Sequence, residues 1–179
     1  MEVAVIAEAA VVVINGESQV GSLFLLGVGF VALDEYGDVC DAQEVEVSGK
    51  DPERMVKLID RIVHLVSPDD VVCIEDFAYA QANRIAMLGG IGWGVRMELF
   101  KRGITYIEVA TGELKNFAGC KGNCSKEDLI IPIYELWGFR NGSDNVRDAF
   151  ILAQIARAIK ETVKLKAFQR DVIKKVKGR

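Results

Sequence analysis

The order of elements in this 179-residue chain predicts an α/β fold, a mixed sheet with helices on its faces. Three observations point there. Residues 3–47 are rich in apolar and β-branched residues broken by turn signals, the pattern of an antiparallel meander. From Asp51-Pro52 onward, stretches with helical apolar spacing alternate with short β-branched runs. Residues 71–74, Val-Val-Cys-Ile, follow the polar turn Ser67-Pro68-Asp69-Asp70 and read as a buried strand of a parallel sheet.

Taken in order, residues 3–14 are apolar and β-branched in two pieces, 3–6 and 9–14, with Glu8 between them, and the second stops at the turn signal Asn15-Gly16-Glu17-Ser18. A second apolar run covers 22–33 and contains Gly27 and Gly29. Asp34-Glu35-Tyr36-Gly37-Asp38 is a hairpin turn, and a third strand follows over 39–47, alternating at Val45 and Val47. Asp51 as N-cap and Pro52 at the first helical position open a helix that buries Leu58, Ile62 and Val66. The only histidine, His64, reads there as a packing or surface residue and not as a ligand. A second helix spans about 81–101 with Gly89, Gly90, Gly92 and Gly94 in its middle. Each interior glycine costs a helix on the order of 1 kcal/mol, so close packing on a sheet or a partner helix is the expected compensation. Residues 104–109 form a further strand and 110–124 a loop. Ser125 caps a helix that Pro132 kinks or splits, and the last helix starts near Ser143 and runs into a basic end. One domain over 1–165 and a basic tail over 166–179 result.

Half of the residues are hydrophobic, enough for one real core and too few residues in all for two. The net charge of -4 argues against a uniformly basic surface. Residues 160–179 nevertheless carry eight Lys or Arg against two acids, a footprint of nucleic-acid contact and equally of a soluble helix end. Four scattered cysteines make no disulfide framework, and the single C-x3-C of Cys120 and Cys124 lacks a second pair for structural zinc. A reducing cytoplasm fits such usage. No apolar run reads as a membrane span, and Met1-Glu2-Val3 lacks the basic start of a secretory signal. No Gly-rich phosphate loop with a following Lys-Ser/Thr is found, which argues against a sugar kinase or ATPase.

The chemistry gathers on acids. The strand at 71–74 ends on Glu75 and Asp76 and continues with the aromatics Phe77 and Tyr79. In α/β sheets ligands bind beyond the carboxyl ends of strands, so an acid leaving a buried strand is a candidate metal ligand or base. On the last helix Asp144, Asn145 and Asp148 share roughly one face at spacings of three and four. Asp148 is followed by Ala149-Phe150-Ile151-Leu152-Ala153, and an ionised carboxylate in such a run is costly unless something positive satisfies it. A hard divalent cation shared with Glu75 is one solution.

These motifs resemble those of the RuvC-like Holliday junction resolvases of the ribonuclease H-like superfamily, as found in bacteria and phages. Ile74-Glu75-Asp76-Phe77-Ala78-Tyr79 is similar to the family's Glu motif, and 144–150 to its terminal helix motif, with Asp148 the firmest position. Gly27-Val28-Gly29-Phe30-Val31 resembles the second strand, and the similarity covers about 11–159. The resemblance implies a mixed five-stranded sheet, an antiparallel meander then parallel strands, flanked by helices. It implies a Mg2+-dependent endodeoxyribonuclease that cuts four-way junctions with two Mg2+ or Mn2+ ions held at positions 15, 75, 144 and 148. It implies DNA contacts by Phe77, Tyr79, Lys115, Lys121 and Lys126, a homodimer with the glycines around Gly90 and Gly94 at its interface, and a cytoplasmic setting, the host's if phage-encoded. No membrane and no small-molecule cofactor are expected.

The departure is Asn15, a neutral amide where the family carries its first acid. Three readings stand: an introduced inactivating substitution, a shifted register in which Glu17 or Glu8 supplies the charge, or lost catalysis. Asn145 is a second departure, with Asp144 beside it as the substitute. A non-catalytic branched-DNA-binding protein, and a nuclease of the same fold acting on flaps or hybrids, are the competing functions.

Overall fold

Alternating apolar residues in the N-terminal third pair into a meander, and the buried runs that follow extend it into one mixed sheet. The computed structural model describes residues 9–13, 17–18, 25–76 and 82–179. In chain order the strands are β1 (Ala9–Val13), β2 (Glu17–Ser18), β3 (Leu25–Leu33), β4 (Val39–Val47), β5 (Val72–Glu75) and β6 (Tyr106–Val109). The helices are α1 (Glu53–His64), α2 (Ala82–Lys101), α3 (Thr111–Phe117), α4 (Ile130–Trp137), α5 (Asp144–Lys160) and α6 (Ala167–Lys177), with a 3-10 turn at Glu127–Leu129 before α4. The sheet runs β2-β3-β1-β5-β6, with β4 on the other edge of β3. β1 is antiparallel to β3, Val13 opposite Gly29, and parallel to β5, Val12 beside Ile74.

Among the described residues the sheet has six strands rather than the expected five, because the two-residue β2 adds to the edge of β3 at Leu25 and Leu26. The hairpin turn forms as read: Asp34 Oδ1 accepts from Tyr36 N and Asp38 N, and Gly37 takes a φ of +91°. Alternation then splits the core into two faces. Val28, Phe30, Ala32, Val45, Val72 and Ile74 pack on α1 and α2, whereas Val31, Leu33 and Cys73 pack on α5. α5 is covered on nearly every side, by the sheet and by α3, α4 and α6, so Asn145 through Ala156 are all buried.

Four local expectations change. Asp51 does not cap α1: Pro52 occupies the N-cap position without a side-chain cap, and the Asp51 carboxylate accepts from Arg54 Nε and Nη2 at 2.9 and 2.8 Å. Part of the expected loop 110–124 is α3, whose start is held by Glu113 Oε2 accepting from Ala110 N at 3.2 Å. Ser125 caps the 3-10 turn by accepting from Asp128 N, and Pro132 falls in the first turn of α4, where its missing N–H leaves no bond broken. The basic segment 166–179 forms α6, which buries Val172, Ile173 and Val176 beside α3 and α5.

The α2 glycines also take a different partner from the one expected. A Cβ at Gly94 would lie 2.2 Å from Ile59 Cδ1, and one at Gly90 2.6 Å from Met55 Cε. Both therefore face α1 of the same chain and not a second subunit. The outward face of α2 carries Trp93, Met97 and Phe100, at spacings of four and three. Among the described residues no helix is long and apolar enough to cross a membrane.

The contact that sets α5 on the sheet is at Gly29. A Cβ there would fall 2.1 Å from the carbonyl oxygen of Asn145, a backbone atom with nowhere to go. Gly29→Ala is expected to lower the unfolding free energy by about 1–3 kcal/mol in urea titration. Gly112→Ala, at a site with open space around it, is the control and is expected to change stability little. Equal effects would refute the close approach.

Candidate active site

Glu75 is the last residue of β5, so alternation from Cys73 points it to the α5 face. Its main chain is pinned at this edge: Arg96 Nη2 donates to the Glu75 carbonyl at 3.2 Å, and Asp76 N donates to Val109 O at 2.9 Å. The side chain accepts from Thr111 Oγ1 at 2.7 Å, a residue at the start of α3. α5 enters from Ser143, whose Oγ accepts from Val146 N, and presents Asp144 in its first turn and Asp148 one turn deeper. Glu75 is 6 % exposed and Asp148 5 %.

Lys126, from the 3-10 turn, enters between the acids of α5. Its Nζ lies 2.5 Å from Asp144 Oδ2 and 3.8 Å from Asp148 Oδ2. Lys115 donates to Cys124 O at 2.5 Å, and its charge reaches both Glu75 and Asp148. Two lysines thus face three acids, of which two are buried.

The electrostatics follow from burial. Desolvation pushes Glu75 up to about 7; the Thr111 bond opposes this, the Asp148 charge adds to it, and Lys126 and Lys115 oppose it. Asp148 is raised to about 6, again first by desolvation, with Lys126 acting against it and Asp144 with it. Burial also works against Asp144, but the hydrogen bond and charge of Lys126 outweigh it and hold that carboxyl below its usual range. The single ammonium of Lys126 therefore serves Asp144 well and leaves the two buried carboxylates short of positive charge.

The expected site residues divide accordingly. Glu75, Asp144 and Asp148 converge, and the charges of Lys115 and Lys126 reach them. Lys121 is exposed and, among the described residues, makes no ion pair with the acids. Asn15, Glu8, Phe77 and Tyr79 lie outside the described residues, as does the side chain of Glu17. Cys120 and Cys124 adjoin each other near Asp128, and no metal-binding group forms there among the described residues. Thr111, Arg96 and Glu44 carry no signal that sequence reasoning could have found. The last of these, on β4, accepts from Asn145 Nδ2 at 2.6 Å.

Among the described residues no three Asp, Glu, His or Cys groups stand close enough to hold one metal ion. The donors that do converge are all carboxylate oxygens, and their raised protonation marks a deficit of positive charge. That chemistry fits a hard divalent cation and not a soft one.

The sheet order and the helices on both faces define an α/β fold, with acids at the carboxyl edge of β5. In fold the chain is RuvC-like. Thermus thermophilus RuvC superposes with a TM-score of 0.61 at 17% identity, covering 89% of this chain and 99% of that one. T. thermophilus RuvC in complex with a Holliday junction substrate gives a TM-score of 0.60 at the same identity and coverage. No protein-family model matches the chain, and no curated protein sequence matches it significantly.

The raised Glu75 has a stability consequence. Its folded-state value lies above the unfolded one, so the contribution is fully present below about pH 4.5 and is lost as pH rises through about 7. In chelator-treated protein, Glu75→Gln is expected to flatten this decline and to be the more stable form at about pH 8, by roughly 1–3 kcal/mol. Urea unfolding across this range checks it; parallel profiles for the two proteins would refute it.

Proposed function

We propose that this protein is a structure-selective endonuclease that cleaves phosphodiester bonds in branched DNA, four-way junctions above all. The observation that carries the reading is the convergence of Glu75 from β5 with Asp148 and Asp144 from α5 at one sheet edge, both buried acids lacking full charge compensation. The RuvC likeness in fold, and the junction bound by one of those structures, support the choice of substrate.

Glu75, Asp148 and Asp144, with position 15, would hold two Mg2+ or Mn2+ ions. Such ions supply an activated water and stabilise the charge on the leaving oxygen. The chain's own residues do the rest. Thr111 fixes the Glu75 carboxylate, Arg96 fixes the strand end that carries it, and burial keeps bulk water from screening the acids. Lys126 and Lys115 place two positive charges beside the carboxylates, where a backbone phosphate is neutralised, and the exposed Lys121 extends that line. Phe77 and Tyr79 directly follow the site in sequence and offer stacking surface to unpaired bases at a crossover.

Paired cuts in a near-two-fold junction call for a C2 dimer. The outward face of α2 is the proposed contact: Trp93, Met97 and Phe100 are 58, 55 and 82 % exposed. A helix face this apolar needs cover. The basic outer face of α6 adds phosphate contacts, and binding is accordingly steep in salt.

A second reading is a branched-DNA-binding protein without catalysis. It is favoured by amides at positions 15 and 145, where the resemblance places acids.

A junction-cleavage assay with Mg2+ or Mn2+ decides between them. Cutting is expected from the chain or from Asn15→Asp, and is expected to fall by at least about 100-fold with Glu75→Gln. Folded protein that binds junctions but cuts in neither form supports the second reading; failure to bind them overturns both. For the dimer, Trp93→Glu with Phe100→Glu is expected to shift the sedimentation of the protein from dimer to monomer, and an unchanged profile would remove α2 as the interface.

A further inference from the structure

Asn145 is 3 % exposed, and the two arms of its amide are treated unequally. Nδ2 donates to Glu44 Oε1 at 2.6 Å and reaches the Gly27 carbonyl at 3.5 Å. Oδ1 is sealed from solvent and accepts no hydrogen bond among the described residues. A carboxylate only accepts, so the arm that faces Glu44 must be the NH2 and the oxygen must lie on the other arm. An orphaned buried carbonyl is normally avoided, since every such oxygen forfeits its bond to water.

Glu44 reaches this place because Gly27 leaves room for it. A Cβ at position 27 would sit 2.3 Å from Glu44 Oε1. The glycine, the carboxylate and the unpaired oxygen therefore form one arrangement across β3, β4 and the first turn of α5. Asn145 itself lies between Asp144 and Asp148, three residues before the latter and on its side of the helix.

We propose that Glu44 is a positioning residue for a divalent cation: it fixes the Asn145 amide so that Oδ1 is offered as a neutral oxygen ligand beside Asp144 and Asp148. Amide oxygens are ordinary ligands of hard cations, and a carboxylate that orients a ligand also adds negative charge to the site without touching the ion. Glu44 thereby offsets a neutral side chain at position 145. The inference rests on the proposed function, in that the acid cluster must bind divalent cations at all.

Calorimetric titration of the full chain with Mn2+, together with the Mn2+-dependent rise in melting temperature, separates the two. Wild-type uptake that Glu75→Gln abolishes establishes the cluster. Glu44→Ala is then expected to weaken Mn2+ binding at least about tenfold, the usual effect of removing a group that orients a ligand. Glu44→Gln, which keeps an acceptor for Nδ2, is expected to retain most of the affinity. Asn145→Asp in the Glu44→Ala background is expected to recover it, because a carboxylate presents an oxygen in either orientation. Unchanged affinity in Glu44→Ala, or loss that Asn145→Asp does not recover, overturns the role of Glu44 and leaves the proposed function standing. A folded wild type that takes up no Mn2+ overturns both.

Discussion

The close approach of α5 to β3 at Gly29 is the constraint on which the site depends. Helix backbone sits where any other residue would put a side chain, with the Asn145 carbonyl against the strand. That contact lowers the first turn of α5 onto the sheet and brings Asp144 and Asp148 to the edge where β5 ends in Glu75. Ser143 caps the same turn, and Arg147 donates to the carbonyls of Asn141 and Gly142, fixing the loop that leads into it. Further along, Phe150 stacks on Phe139 and meets Trp137 edge-on, holding the helix from the side opposite the sheet. The acids are therefore placed by packing, with Lys126 supplying part of the opposing charge.

Repulsion and desolvation are the cost of that placement. Burial raises the proton affinity of both Glu75 and Asp148, the Asp148 charge adds to the first and the Asp144 charge to the second, and Lys126 cannot satisfy three carboxylates at once. Such a cluster is poorly suited to stability, since its buried carboxylates lack full charge compensation. Glu44 and the amide of Asn145 extend the same logic one strand further, to β4.

Much of this was legible in the chain because it was written in periodicity. β4 has the bounds that the alternating run 39–47 indicates, and the acids at 75 and 148 stood out because each abuts an apolar run, Glu75 at its end and Asp148 at its start. The short α3 was not legible: it has no Ser, Thr, Asp or Asn in the capping position, and Gly112 and Gly119 disguise it as loop. The glycines of α2 announced close packing but not its partner, since Met55 and Ile59 on α1 are apolar in the ordinary way. The ion pair of Lys126 with Asp144 was not legible either, because the sequence cannot show that a turn folds the lysine back onto α5. Asn15, Phe77 and Tyr79 fall outside the described residues and carry their readings forward only as proposals.

The sheet also partitions the molecule into two interiors that share no side chains. The one beneath α1 and α2 is aliphatic apart from a few aromatic rings and holds none of the acids. The one around α5 carries the carboxylates within its own wall. Evolutionary drift can accordingly reshape the first interior, trading one aliphatic residue for another, while the chemistry stays in place. The second has no such latitude, because volume lost or gained along α5 moves charge as well as carbon.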